Sequence, residues 1–432
     1  MPSSLLTARD SILRFFEWGC VMSVSYEVTA IFGGIGGLEL GLHRSGHRTS
    51  LFCECDPEAV AVLSHRFPDV PIVGDIKRTD EVLANISPTS QLLSAGFPCT
   101  DLSQAGQTKG FSGGRSSLIR ETIELLRRRP FDHVLIENVP NWRHLHKGAY
   151  MAEVLGALEG LGYRWAYRTL DALAFGLPQR RQRIFVFATR EGDPRRVLFH
   201  GNETPDDQVF GLDEAAHGFY WTEGNRGLGW GEDCVPTLKG GSTMGIPSPP
   251  AILLPDLGIV TPHLDDAERM QGFPAGWTDI DGILESTGKA FNKRRRWMLV
   301  GNAVNVGVST WLGERLAADE PYEGESGEPL EAGKPWPIAG WFDGTTRYAV
   351  PLTSWPVKRP RVSLAKFLER PGTPLSLRAT AGFYSRISRS SLRFKPGFKE
   401  AVAAHLRLME GRTTSHGAGL QKDAPDRPLV LA

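Results

Sequence analysis

Phe32-Gly33-Gly34-Ile35-Gly36-Gly37 follows the strand-forming run Tyr26 to Phe32 and precedes Leu38-Glu39-Leu40-Gly41-Leu42. Strand, glycine-rich turn and helix make the first unit of a nucleotide-binding α/β fold. The glycines let the backbone approach a ligand closely. Nicotinamide enzymes share such a turn, so the turn alone does not choose between enzyme classes. Thr49 to Cys53 reads as a second strand ending at Glu54, roughly 20 residues past the turn, where such folds hold ribose hydroxyls. Asp56 then caps a helix that starts at Pro57 and runs to Arg66. Pro71-Ile72-Val73 is a third short strand. Asp75 at its end is placed either to accept from an adenine amine or to cap a turn.

A fourth strand ends near Leu92-Leu93 and leads into Ala95-Gly96-Phe97-Pro98-Cys99. An isolated cysteine is ordinarily a small buried hydrophobe. A thiol at the carboxyl end of a strand, beside a loop rich in glycine and serine, is instead in a position to react. The loop closes with Gly110-Phe111-Ser112-Gly113-Gly114-Arg115, and a helix follows from Leu118 to Arg128. The strand His133 to Ile136 ends at Glu137-Asn138-Val139-Pro140. A helix over Met151–Leu161 and a strand over Arg168–Leu173 are expected next. Gln179-Arg180-Arg181-Gln182-Arg183 then precedes the apolar strand Ile184–Ala188. Arginines in that position suit an anion or a carbonyl oxygen.

From Arg190 to about Leu257 the alternation of strand and helix stops. The segment is rich in Gly, Pro and Trp, with Tyr220-Trp221-Thr222-Glu223-Gly224 and Pro236-Thr237-Leu238-Lys239-Gly240 standing out. It reads as an inserted irregular or β module. Helical and apolar patterning returns at Asp265 to Met270, and again at Trp297 to Val300, Gly301-Asn302-Ala303-Val304 and on to Leu316. Beyond that, Trp336 to Trp341 and Trp355 suggest a small β-containing module, and Leu364–Leu368 and Phe398–Leu408 read as helices.

Length suggests two or three domains, and the formal net charge of +0 hides an asymmetry. Residues 334–412 hold 15 Lys and Arg against 4 Asp and Glu, a basic surplus that suits a polyanion. The five cysteines are odd in number and form no CxxC pair, which argues against a disulfide framework or a structural zinc site. A reducing cytoplasm fits. No apolar run is long enough for a membrane span. Asp10, Arg14 and Glu17 interrupt the only apolar stretch near the start, so no signal peptide is read there, and Met22 is a candidate start.

Six blocks in order resemble the DNA cytosine-5 methyltransferases: Phe32–Gly37, Gly96-Phe97-Pro98-Cys99, Glu137-Asn138-Val139, Gln179–Arg183, Gln271-Gly272-Phe273-Pro274 and Gly301–Val304. The resemblance covers roughly 26–190 and 258–318. Three features depart from it: Ala30 where the family has Asp, Gly33 where it has Ala or Cys, and weak agreement over 258–266. The implied fold is α/β, a Rossmann-like S-adenosylmethionine-dependent methyltransferase. Its expected parts are an N-terminal extension (1–21), a catalytic domain (22–190), a target-recognition region (191–290), a return to the catalytic domain (291–318) and a basic C-terminal extension (319–432).

The resemblance also implies a chemistry. Cytosine C5 is a poor nucleophile until a thiolate adds to C6, and Cys99 is the implied nucleophile. Glu137 would meet N3 and the exocyclic amine as an acid, with Arg183 on O2 and Arg181 nearby. The activated C5 would take the methyl group of S-adenosylmethionine. That cofactor would be held by Phe32, Gly34, Gly36, Gly37, Glu54, Asp75, Ile76, Pro98, Asn302 and Val304. The base must be flipped out of the duplex. Gln104 or Ala105 would sit near the vacated space, and Lys109 and Arg115 would meet phosphates. The implied partners are double-stranded DNA and a cognate restriction endonuclease, with a monomeric cytoplasmic enzyme, no metal and a role in restriction–modification or phage defence. A nicotinamide oxidoreductase leaves Cys99, Glu137 and Arg183 unexplained. A tRNA methyltransferase is opposed by the long insertion and the basic tail, and an inactive relative by intact Cys99, Glu137 and Asn302.

Overall fold

Val28, Leu51, Leu92 and Val134 are completely buried, and so are most of their neighbours along the same strands. Apolar residues on both faces of a strand are what a parallel sheet covered by helices requires. The structure is a computed structural model that describes residues 24–97, 117–205, 207–225, 227–240, 249–280, 293–318, 320–331 and 333–417.

The first half runs β1 (Glu27–Ile31), α1 (Gly37–Arg44), β2 (Arg48–Cys53), α2 (Pro57–Arg66), β3 (Ile72–Val73), α3 (Thr79–Asn85), β4 (Leu92–Gly96), α4 (Ser117–Arg128) and β5 (His133–Asn138). Then come α5 (Ala149–Gly160), β6 (Arg164–Asp171), β7 (Gln179–Arg180) and β8 (Gln182–Thr189). Helix α2 starts as its sequence dictates: the Asp56 carboxylate accepts from the amides of Glu58 and Ala59, with Pro57 in the first turn. Strand β6 lies earlier than the sequence pattern suggests. Asp171 ends it, because its carboxylate accepts from the Leu173 amide and starts a 3₁₀ turn over Ala172–Phe175.

The middle holds α6 (Arg195–Leu198), β9 (His217–Phe219), β10 (Gly231–Glu232), β11 (Val235–Pro236), β12 (Ala251–Leu254), β13 (Gly258–Thr261) and α7 (Leu264–Met270). The chain then returns through α8 (Lys293–Asn302) and α9 (Val306–Ala318). The last part holds β14 (Glu328–Pro329), β15 (Ala339–Phe342), β16 (Arg347–Val350), α10 (Leu364–Phe367), β17 (Thr373–Pro374), α11 (Leu377–Arg389) and α12 (Phe398–Gly417).

The large sheet has ten strands in the order β14-β16-β15-β6-β8-β5-β4-β1-β2-β3. Strands β1 to β5 are mutually parallel, and β8 lies antiparallel between β5 and β6. This is a Rossmann-like α/β core. The tryptophan-bearing segment after Ala318 does not stand apart from it: β15 pairs with the edge of β6, and β16 and β14 follow. A second sheet has the order β10-β9-β12-β13-β17. Its last strand comes from the C-terminal part, and α11 and α12 cover it. Phe219, Ala251, Leu253 and Ile259 of the inserted region pack there against Leu375, Phe383, Ile387, Phe398 and Val402. Helix α9 closes the catalytic unit against α1. The Ser309 hydroxyl donates to the Gly37 carbonyl at 2.8 Å, and a Cβ on Gly41 would collide with Ser309.

One acid in this core is unusual. Glu39 of α1 is buried, takes a hydrogen bond from Ser94 Oγ at 2.8 Å, and leaves Oε2 without a partner among the described residues. Burial pushes its acid up to about 7. The native state therefore keeps a proton that the unfolded chain releases near pH 4.5. Stability should fall as pH rises from there through about 7, by up to about 3 kcal/mol. Glu39→Gln should flatten this slope and stabilise the protein at pH 8. Urea melts at pH 5 and pH 8 check it, and equal pH slopes for the two proteins would refute it.

Candidate active site

Strand register brings the reactive-type side chains together. Gly96 at the end of β4 pairs with Glu137 on β5. Glu137 in turn faces Phe185 across the antiparallel pair with β8, which leaves Arg183 two residues away along β8. Arg183 Nε lies 3.0 Å from Glu137 Oε1, and both side chains are largely buried. The net effect on Glu137 is a raised pKa, because burial outweighs the attraction of Arg183 and Arg181. An acid held this way can give a proton to a ring nitrogen and take it back.

Glu137 and Arg183 line a cavity of about 340 Å³ at the carboxyl ends of β1 to β5, where open α/β sheets take their ligands. Its wall also includes Phe32, Gly34, Glu54, Asp75, Ile76, Asn302 and Val304. Phe32 has φ of +56°, a conformation that costs a non-glycine residue about 1–3 kcal/mol and clusters at functional sites. Its ring lies 5.3 Å from that of Phe97. The Glu54 carboxylate accepts from the amides of Gly34, Cys55 and Asp56, all at 2.8 Å, so it is fixed in the cavity wall. Asp75 lines the cavity and also caps a turn by accepting from the Lys77 amide.

Other expected residues lie elsewhere. Gly36 and Gly37 do not line the cavity. A Cβ on Gly36 would meet the Phe67 ring, and one on Gly37 would collide with the Val304 carbonyl. These glycines serve the turn and the close return of the chain. Arg181 is fully buried behind the cavity. Its guanidinium donates to the carbonyls of Leu238, Gly301 and Ala303 at 3.3, 3.2 and 2.7 Å. It positions the Asn302 segment and does not itself face the cavity. Pro98, Cys99, Gln104, Ala105, Lys109 and Arg115 lie outside the described residues. The sequence reading missed Phe97, Cys53, Cys55, Leu118, Val139 and Leu299, which also line the cavity. Phe97 was recoverable from its place beside a strand end. Cys53, Leu118, Val139 and Leu299 are ordinary core types with no distinguishing signal, and Cys55 is an exposed thiol beside Glu54.

The sequence blocks are also bonded to one another. Gln179 Nε2 donates to Met270 O and Gln271 Oε1, and its Oε1 accepts from the Leu238 amide. Gln271 Nε2 donates to Val300 O at 2.8 Å. A buried polar network of this kind fixes one arrangement, because each unpaired group would cost about 1–3 kcal/mol.

The model of the C-5 cytosine-specific DNA methylase family matches residues 26–211. Type II methyltransferase M2.BsuMI of Bacillus subtilis (strain 168) is 45% identical over 376 residues, covering 84% of this chain and 93% of that protein. The chain belongs to the C-5 cytosine-specific DNA methylases. M1.ScrFI of Lactococcus lactis subsp. cremoris is 35% identical to this methylase over 181 residues, 41% of this chain and 46% of its own. The solved Entamoeba histolytica methyltransferase EhMeth covers 68% of this chain and 98% of its own, at 16% identity and a TM-score of 0.48. The methylase transfers a methyl group to C5 of cytosine in DNA, and no helix among its described residues is long and apolar enough to cross a membrane.

Proposed function

We propose that this methylase modifies a cytosine within one specific sequence of double-stranded DNA, using Cys99 as nucleophile, Glu137 as acid and Arg183 as the clamp on O2. The observation that carries this is the Glu137–Arg183 pair, 3.0 Å apart and facing a nucleotide-sized cavity beside the strand that leads to Cys99. Thiolate addition to C6 places negative charge on the ring at N3 and O2. A protonated Glu137 meets the first and the Arg183 guanidinium the second.

The cavity fits S-adenosylmethionine. Its volume lies in the usual range for a small-molecule site. A Cβ on Gly34 would meet nothing within 4 Å, so that face of the turn is open. Phe32 and Ile76 would flank the adenine, with Asp75 at its edge. Glu54 would take the ribose hydroxyls, and the Gly34 turn with Asn302 and Val304 would hold the amino-acid end. When bound, S-adenosylmethionine supplies the electrophilic methyl carbon. After transfer, a base removes the C5 proton, and the electron pair left behind expels Cys99 from C6 as its thiolate.

M2.BsuMI and M1.ScrFI are named type II methyltransferases, which supports a modification role in a restriction–modification system; a monomeric cytoplasmic enzyme working beside a cognate endonuclease completes the proposal. Labelled-methyl transfer onto duplex DNA and onto tRNA tests the substrate. Transfer to tRNA alone would overturn the proposal. Bisulfite sequencing of DNA from an expressing host would give the target, and methylation at scattered cytosines with no common sequence would sink the specific-site reading.

Glu137→Gln is expected to lower kcat by about 10²–10⁴, since the amide keeps a hydrogen bond but cannot deliver a proton. Binding of S-adenosylmethionine, followed by calorimetry, should be nearly unchanged. A wild-type kcat in this variant would remove Glu137 from the acid role.

A further inference from the structure

Lys239 stands where the inserted region meets the active site. Strand β11 just before it pairs with β7, and Leu238 is tied to Gln179 and Arg181. A Cβ on Gly301 would collide with the carbonyl group of Lys239, so this backbone lies directly against the segment that carries Asn302. The Lys239 ammonium lies 3.6 Å from the Tyr220 ring centroid and 2.7 Å from Glu223 Oε1. The Tyr220 hydroxyl lies within electrostatic reach of Glu223 and of Arg181, Arg180 and Arg183, which places the pair close to the arginine-bearing strands β7 and β8.

Both partners stay partly open to solvent, at 42% and 41% exposure. An ion pair of that kind adds little to stability. Its surroundings are nonetheless built to hold it. Arg386 of α11 donates to the Glu223 carbonyl at 3.0 Å and to the Trp221 carbonyl at 2.7 Å. The Tyr220 hydroxyl donates to the Thr237 carbonyl at 2.6 Å. The C-terminal part of the chain thus fixes Glu223, and the catalytic unit fixes Lys239.

We propose that Lys239 is a DNA-phosphate contact at the mouth of the active site, and that Glu223 is its internal counter-ion, released when the phosphate arrives. This rests on the methylase reading above and extends it. An ammonium on a four-carbon stem can turn from carboxylate to phosphate without backbone movement. The Tyr220 face keeps the head group oriented during the exchange. Glu223 makes Lys239 unavailable to stray anions and weakens binding by the amount needed to displace it.

The test is an anisotropy titration of the full chain with a duplex oligonucleotide carrying the site found by bisulfite sequencing, between about 50 and 200 mM salt. Lys239→Ala should reduce the slope of log K against log salt by about 0.9, the share of one phosphate. Lys239→Gln, which keeps the stem over Tyr220, should show the same change. Glu223→Gln should tighten binding about two- to fivefold, and that gain should vanish in a Lys239→Ala background. An unchanged slope in the lysine variants overturns the proposal, as does an equal gain from Glu223→Gln in both backgrounds. Wild-type protein that binds no duplex would instead overturn the reading on which it rests.

Discussion

Cys99→Ala is expected to lower methyl transfer by at least about a thousandfold, since removing a covalent nucleophile leaves only binding and electrostatic help. C5 attacks only after the ring has been activated at C6. Of the described thiols only Cys55 is exposed, and it lines the cavity with its acid pushed up by burial and by the neighbouring Glu54, Asp75 and Asp56 carboxylates, which keeps it in the un-ionised, poorly nucleophilic form. Cys53 is buried, with its acid pushed up to about 12 by burial and by neighbouring carboxylates, and its Sγ donates to the Gly74 carbonyl. Cys234 is buried as well, with its acid pushed up to about 11. Duplex binding should survive the substitution. A duplex with 5-fluorocytosine at the target gives a direct readout, because fluorine cannot leave C5 as a cation. The wild-type protein should remain bonded to it on a denaturing gel, and the variant should not. Methyl transfer persisting in Cys99→Ala would remove the covalent mechanism.

Ending the chain at Ala318 should abolish folding rather than trim an accessory. The residues beyond it place Trp336, Leu364, Trp341 and Phe383 in four separate buried clusters. Each such side chain contributes about 1.5–3 kcal/mol on burial. Losing four of them already matches the roughly 5–15 kcal/mol by which a domain is stable. The truncation would also bare the edge of β6 and uncover the apolar face of β12 and β13, which invites aggregation. Soluble yield and near-ultraviolet circular dichroism of residues 1–318 would report this. A soluble fragment that melts cooperatively near the full-length Tm would show the expectation to be wrong.

What the sequence revealed follows from how local each signal is. The start of α2 was legible because Asp56 and Pro57 act on the next three residues. The shape of the site was legible because parallel strands end in register, so Glu54, the end of β4 at Gly96 and Glu137 had to fall on one edge of the sheet. Gly36 and Gly37 were assigned to the cofactor because a glycine looks the same whether it makes room for a ligand or for a carbonyl. Arg181 and Arg183 differ only because the strand is interrupted between β7 and β8, at Arg181 itself. That break turns one guanidinium to backbone carbonyls and leaves the other beside Glu137. The fate of the C-terminal part was not legible. Its strand β17 is two residues long, includes Pro374, and takes its meaning from β13, more than a hundred residues earlier.

That last pairing has a consequence for synthesis. The β12–β13 hairpin leaves the ribosome well before Phe398 and Val402, which lie about 140 residues after Ile259. At about 5–20 residues per second, Leu253 and Ile259 wait roughly 7–30 s for the helices that cover them. During that time the nascent chain carries an open apolar surface, and aggregation competes with completion of the second sheet.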